Sequence, residues 1–382
     1  MRLLIAGGGT GGHIYPALAV VRSLRAHPDA PEIDWLGGHR GLERSIVPAT
    51  GIPLTRLALR SLRSAGRDVH LVLDPARLAL AVPQAAVILA RRRPAAILTT
   101  GGYVAIPVLL AAAAMRIPVV LWEGNVVPGR SVSATARLAS VVAVSHAATA
   151  QALGRPDAYL TGTPIRSVAE IDREAARQRF GVAPGERLLL VFGGSQAVRR
   201  FNAAVTDALP RLVERVRVVH VTGEAGYAPA LAAREQLPVG LRDRYQPYPF
   251  LRDEMTLALA AADLAVGRAG ASTLAEAAAF RLPLAIVPYP HAAGHQRANA
   301  EAHVAAGAGL LIEDAAFDAD ELLRVAELLA DPQRHAGMAA AAHQLARPGA
   351  ADAVAALLRA AAARGPLPEH VTIEAIARGS RP

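Results

Sequence analysis

"MRLLIAGGGTGGHIYPALAVV", residues 1–21, sets a short apolar run against six residues of which five are glycine, then continues with His13 and an amphipathic stretch. After a strand, glycines let the backbone approach a ligand closely and present a row of N–H groups. The helix that follows adds the positive end of its dipole. The guest that suits such a turn is an anion, above all a phosphate. Gly7, Gly9 and Gly12 fit the G-x-G-x-x-G spacing of a dinucleotide fold, a weak signal when it stands alone. A nicotinamide cofactor also calls for a carboxylate at the tip of the second strand to hold a ribose. EIDWLGG, residues 32–38, ends instead in Trp35, Leu36 and glycines. No cofactor is expected.

The strand-then-helix unit recurs along the chain. RLLIA, EIDWLG, AAILTT, IPVVLWE, SVVAVS and AYLTG alternate with helix-like segments, each short, rich in Ile, Val and Leu, and followed by Gly or a small polar residue. This is the pattern of a parallel sheet buried on both faces. After GTPIR, residues 162–166, a charged helix-like stretch leads into RLLLVFGGS, and the pattern restarts with VRVVHVTG, DLAVGRAG, PLAIVPYP and GLLIED. The expected class is α/β, with two doubly wound Rossmann-like domains, residues 1–164 and 165–349, facing a cleft. A helix at about 350–365 is expected to pack back on the first domain, and 366–382 to form a poorly ordered tail.

Composition narrows the function. The 382 residues are enough for two cores, and with 52% hydrophobic but only 4% aromatic residues those cores must be built from Ala, Leu and Val. The absence of cysteine removes disulfides, thiolate nucleophiles and Cys-ligated zinc. There is no lysine, so arginine carries the formal net charge of +9, which favours anionic partners. Nucleic acid is disfavoured, because aromatics are few and no basic stripe interleaves with them. Leu3–Ala6 is too short for a signal-peptide core, and AIPVLLAAAAMRIPVVLW is interrupted by Pro107, Arg116 and Pro118. Cytoplasmic residence without a membrane span is expected.

The second half has glycine turns of its own. VFGGSQAVRRFN repeats strand, Gly-Gly, hydroxyl and helix, and GRAGASTLAEAAAF adds Gly270, Ser272, Thr273 and Glu276. A polar run of His291, His295, Gln296 and Asn299 follows, with Gln296 and Asn299 on one helix face. Together with GGTGGHIYPALAV, TTGGYVAIPVLLAA, IPVVLWEGNVVPG, TGTPIR and PLAIVPYPHAAGHQRANA, these stretches stand in the order and spacing of a known family. Up to about residue 350 the chain resembles the MurG family, UDP-N-acetylglucosamine transferases that convert lipid I to lipid II in peptidoglycan synthesis.

The resemblance implies an inverting glycosyltransferase of GT-B architecture that needs no metal. It puts Ser195 and Gln196 near the donor diphosphate, Glu276 on the ribose hydroxyls, and His295 with Gln296 on the sugar. Arg166 and the segment 250–255 help frame the uridine and diphosphate. Thr10, Gly11, Gly12 and Asn125 are further donor-site candidates. Gly9, Thr10, Gly101, Gly102 and Tyr103 are expected to cradle the acceptor pyrophosphate. His13, at the mouth of the first turn, is the candidate base, since an imidazole of pKa ~6.5 suits proton abstraction at neutral pH. Glu123 is its competitor. The chain departs from the family at Gly124, where Gln is usual, at Thr163, where Asn is usual, and at Ala197 and Val198, where Gly-Ala is usual.

A polyprenyl acceptor must be met at a membrane. LVLDPARLALAVPQAAVILARRRP, residues 71–94, supplies Leu78, Val82 and Ala85 at helix spacing, with Arg77, Arg91, Arg92 and Arg93 as cations for acidic head groups. The implied partners are UDP-N-acetylglucosamine, lipid I, the anionic cytoplasmic face of the cell membrane, met peripherally, and cell-wall synthesis machinery. Two alternatives remain: a GT-B transferase with another acceptor, and a UDP-N-acetylglucosamine 2-epimerase, which should carry more carboxylates around its ligand.

Overall fold

The computed structural model describes residues 1–39, 41–59, 70–193, 199–251, 254–292 and 294–380, with the backbone alone described for 70–76. The chain forms two compact units, Met1–Ser167 with Arg347–Pro382, and Val168–Ala346.

The first unit holds a seven-stranded sheet of β1 (Arg2–Ala6), β2 (Glu32–Gly38), β3 (Leu54–Leu57), β4 (Ala96–Thr99), β5 (Val119–Glu123), β6 (Val141–Val144) and β7 (Tyr159–Leu160), in the order β3-β2-β1-β4-β5-β6-β7. The second unit repeats the design with β8 (Leu188–Phe192), β9 (Arg217–Val221), β10 (Tyr245–Tyr248), β11 (Leu264–Gly267), β12 (Leu284–Ile286) and β13 (Gly309–Leu311), ordered β10-β9-β8-β11-β12-β13. Every pairing is parallel. In both sheets the chain reverses its direction of growth between the first strand and the fourth, the point at which doubly wound folds bind ligands.

The central strands are buried on both faces, as continuous apolar runs in parallel sheets must be: AILT of β4 and LLLVF of β8 have no exposed residue. Both tryptophans lie in the first core, and each indole N–H is satisfied by a glycine carbonyl, Trp35 by Gly7 at 2.8 Å and Trp122 by Gly162 at 3.0 Å. In the second unit Asp263, 5% exposed at the start of β11, gathers Arg173, Arg177 and Arg187 at 2.9, 3.1 and 3.4 Å and accepts the Leu188 N–H at 2.8 Å. That cluster ties the first helix of the unit to two strands of its sheet.

The helix Ala350–Ala363 packs on the helix Gly11–Arg25 and on β4 and β5. Residues 366–380 do not form the poorly ordered tail expected of this end of the chain. They contain the helix His370–Ala377, which buries Ile373 and Ala377 completely. The His370 ring stacks on Tyr159 at 4.1 Å, and the Tyr159 hydroxyl donates to the Pro368 carbonyl. This segment covers β7, the short edge strand of its sheet.

Candidate active site

In the first unit the turns after β1 and β4 lie side by side and interlock. The Thr100 hydroxyl donates to the His13 carbonyl at 2.7 Å, and His13 Nδ1 lies 2.7 Å from the Thr100 carbonyl. A carbonyl can only accept, so Nδ1 carries the proton and the lone pair of the neutral ring belongs to Nε2. Gly102, at φ +80°, could not be another residue: a Cβ there would meet the Gly8 carbonyl at 2.9 Å and the His13 ring at 3.4 Å. His13 and the Gly101–Gly102 pair are brought together.

Behind the first turn stands a residue that sequence reasoning missed. Glu43, opening the short helix Glu43–Ile46, is fully buried. Its Oε2 accepts the Gly9 N–H at 2.8 Å, while Oε1 accepts the Gly38 N–H at 3.0 Å and the Tyr103 hydroxyl at 3.1 Å. Burial first, then the Glu43 charge, pushes the Tyr103 phenol well above its usual range. The expectation for Gly9 is thereby corrected, because its amide is directed at the chain's own carboxylate rather than at a ligand. Thr10, Gly11 and Gly12 remain at the open start of the helix, with Thr10 exposed, extended and making no side-chain cap.

Glu123, the competing candidate, has a structural task. It is 4% exposed, with Oε1 accepting from the Asn125 backbone N–H at 2.9 Å and side-chain Nδ2 at 2.8 Å, and Oε2 accepting from the Gly129 N–H at 2.9 Å. These three donors shape the turn after β5 and lead into the helix Arg130–Thr135. A buried carboxylate with both oxygens engaged by its own loop anchors that loop. Asn125 thus belongs to that anchor. His146, which precedes the helix Ala147–Ala152, is held below the ordinary imidazole range by burial, against an opposing pull from the Glu123 charge. Thr163, one of the departures, shares a 2.8 Å hydrogen bond with the Ser145 hydroxyl.

In the second unit Ser195 and Gln196, with Ala197 and Val198, lie outside the described residues. The turn after β11 runs through Arg268 and Ala269 into the helix Ala271–Ala279, where Glu276 is half-buried. Asn299 is fully buried and donates Nδ2 to the Ala269 carbonyl at 3.1 Å, which ties the helix His295–Ala305 to that turn. Gln296 accepts the Tyr289 N–H at 2.9 Å, and His295 begins the helix after Gly294, which has φ +80°. Glu276, His295 and Gln296 thus stand on two helices joined at one turn.

Arg268, absent from the sequence-derived set, organises this end. It is 5% exposed, meets Asp314 at 2.5 Å and the Val287 carbonyl at 3.0 Å, and its guanidinium lies 4.7 Å from the Phe201 ring centre and 5.4 Å from that of Tyr289. Of the remaining expected residues, Phe250 is exposed and Arg166 half-buried, while Arg252 and Asp253 lie outside the described residues.

The helix His70–Arg92 corrects the expected membrane face. Ala81, Ala85 and Leu89 are fully buried in the core, and Leu78 packs against that core. The stripe of Leu78, Val82 and Ala85 therefore turns mostly inward. The outward apolar residues are Leu80, 69% exposed, and Val87, 49%. Arg92 reaches Asp34 at 3.5 Å, whereas Arg91 and Arg93 are exposed. Among the described residues no helix is long and apolar enough to cross a membrane, and no group of three His, Asp or Glu side chains could hold a metal ion.

Comparison with known proteins places this arrangement. The glycosyltransferase family 28 N-terminal domain matches residues 3–144 and the family's C-terminal domain matches 188–355. A relative from Moorella thermoacetica, named UDP-N-acetylglucosamine--N-acetylmuramyl-(pentapeptide) pyrophosphoryl-undecaprenol N-acetylglucosamine transferase, is 38% identical over 93% of this chain and 97% of its own. A relative of the same name from a Nocardioides species is 41% identical over 90% and 94%. The chain belongs to the MurG group of glycosyltransferase family 28. The crystal structure of Acinetobacter baumannii MurG superposes with a TM-score of 0.73 at 27% identity, covering 94% of this chain and 99% of that one. A UDP-N-acetylglucosamine 2-epimerase fold from Listeria monocytogenes gives 0.70 at 16% identity, a likeness of fold alone.

For this family 28 chain the glycine turns and the paired polar residues were the legible part of the candidate site. Glu43 and Arg268 were not, since each acts through partners far away in sequence. The one local hint for Glu43 was its setting between glycines and an apolar run, GHRGLERSIV.

Proposed function

We propose that this chain transfers N-acetylglucosamine from UDP-N-acetylglucosamine to the muramyl sugar of lipid I, giving lipid II with inversion at the anomeric carbon. The observation that carries the reading is identity of 38–41% over nine-tenths or more of the chain with relatives named for that transfer. The acceptor hydroxyl oxygen attacks the anomeric carbon, the bond from that carbon to the diphosphate oxygen breaks, and UDP leaves with the electron pair. The hydroxyl proton passes to Nε2 of His13, the nitrogen that the Thr100 carbonyl leaves with the lone pair. The acceptor diphosphate is taken by Thr10, Gly11 and Gly12 at the helix start and by the Gly101–Tyr103 turn. In the second unit Glu276 accepts from the ribose hydroxyls, while His295 and Gln296 hold the sugar. Arg166 and amides at a helix start take up the charge growing on UDP.

For the lipid acceptor we propose peripheral contact with the cytoplasmic membrane face through Leu80 and Val87, with Arg77 and Arg91 meeting acidic head groups. Sedimentation with phosphatidylglycerol vesicles should fall when Leu80 and Val87 are both changed to Ser. Equal sedimentation would remove this surface from the reading.

The test of function is transfer of labelled N-acetylglucosamine to a lipid I analogue by wild type, His13→Ala and Glu276→Ala. Loss of about 10²–10⁴-fold in kcat for the first, and a rise of about tenfold or more in donor KM for the second, are expected. A wild type that binds the donor without transferring it would overturn the reading.

A further inference from the structure

Glu43 is a buried carboxylate that the transfer chemistry does not use, and the fold has built a glycine cage for it. A Cβ at Gly8 would stand 2.5 Å from its Oε1, and one at Gly37 2.9 Å from its Cγ. At Gly41 a Cβ would stand 2.1 Å from its Oε2, and at Gly38 a Cβ would collide with the Tyr103 hydroxyl at 2.0 Å. Four glycines from three segments are thus needed to let one carboxylate and one phenol meet. The two oxygens then accept three donors, each from a different part of the unit: the turn after β1, the tip of β2 and the turn after β4. With 0% exposure the carboxylate is beyond the reach of a ligand. Among the described residues these donors compensate its charge.

We infer that Glu43 is a positioning residue for the acceptor end of the transfer reaction. It fixes the Gly8–Gly9 backbone and Tyr103 relative to each other, beside the Gly102 turn, where a Cβ would lie 2.9 Å from the Gly8 carbonyl and 3.4 Å from the His13 ring. Two links therefore act near the ring: Thr100, just after β4, holds the ring itself, and Glu43 ties together the turns beside it. The inference rests on the transfer reading for its catalytic consequence, but the clamp itself is open to a separate measurement.

The decisive variant is Glu43→Gln. An amide has one accepting oxygen, so in either orientation its NH2 faces a backbone N–H that the carboxylate used to accept, and two donors oppose each other in a buried space. Tyr103→Phe is the milder companion, since it removes one donor and leaves the carboxylate with two amides. In hydrogen exchange, the Gly9 and Gly38 amides of Glu43→Gln should exchange at least about tenfold faster than in wild type. In the transfer assay, kcat/KM for the lipid I analogue should fall by about tenfold or more, while donor KM and the fraction of enzyme that binds UDP stay at wild-type values. Tyr103→Phe should show the same split with a smaller loss.

A general folding defect would instead lower the UDP-binding fraction together with the acceptor term, and that result would overturn the positioning role. Unchanged amide exchange in Glu43→Gln would overturn the clamp whatever the kinetics. If Glu43→Gln does not fold, Tyr103→Phe decides: an acceptor term equal to wild type refutes the inference. Failure of wild type to transfer would count against the function, whereas the exchange measurement would still judge the clamp.

Discussion

Replacing Glu123 by Gln separates the two carboxyl and imidazole candidates for the base, because the structure gives Glu123 a load that can be weighed. The carboxylate holds three donors at 2.8–2.9 Å with 4% exposure. A glutamine that keeps Oε1 on Asn125 turns its NH2 toward the Gly129 N–H. One buried donor then goes unmatched, at roughly 1–3 kcal/mol, and the two surviving bonds lose their charge assistance. The sum is about 3 kcal/mol against the first unit, which for a unit of about 200 residues corresponds to a fall in Tm of roughly 6–12 °C. Calorimetry measures that fall, and the pH dependence of kcat/KM measures the chemistry. If His13 is the base, activity still declines toward acid pH as the imidazole takes up a proton, with the limb at its wild-type position. A Tm within about 1 °C of wild type would refute the anchoring argument. Disappearance of the acid limb would return the base role to Glu123.

Three further outcomes follow from the same geometry. His220 is fully buried beside the Tyr245 hydroxyl at 2.9 Å, and burial pulls its pKa down to about 3. The unfolded chain therefore binds a proton that the folded chain refuses, and stability should fall by about 1.4 kcal/mol per pH unit as pH drops from ~6.5 toward 3; denaturant titrations at several pH values should show a shallower slope in His220→Gln. Asp263→Asn leaves Arg173, Arg177 and Arg187 without their shared buried carboxylate and should destabilise the second unit by about 3–5 kcal/mol; a wild-type urea midpoint would refute this. Arg93 closes the helix His70–Arg92 at φ +48°, so Arg93→Gly should relieve backbone strain and raise stability by about 0.5–1 kcal/mol, less what the cation gives the helix dipole. A lowered Tm would mean that the charge outweighs the strain.

What the sequence determined by itself was the set of strands buried on both faces and the turns that follow them. LLLVF and AILT can hide from water only inside a parallel sheet, and glycines after such runs leave few other conformations. The two strands it did not yield, β3 (LTRL) and β10 (YQPY), are edge strands. Half-exposed edges carry mixed residues, and Pro247 is tolerated in β10 at the edge of its sheet. The helix His370–Ala377 was equally hidden, because its two fully buried residues are few and its proline-rich approach resembles a tail.

Polar partners were decided only by the tertiary structure. Nothing near Glu43 in sequence reveals that its carboxylate will meet Gly9, thirty-four positions away, and Tyr103, sixty away. Glu123 shows the reverse case, a residue placed by its motif in the chemistry and by its neighbours in the architecture. Burial of apolar side chains is a sum over local pattern and can be read from periodicity. A carboxylate's role depends on which donors the folded chain brings to it, and in Glu43 two of the three donors come from segments that meet only in the finished fold.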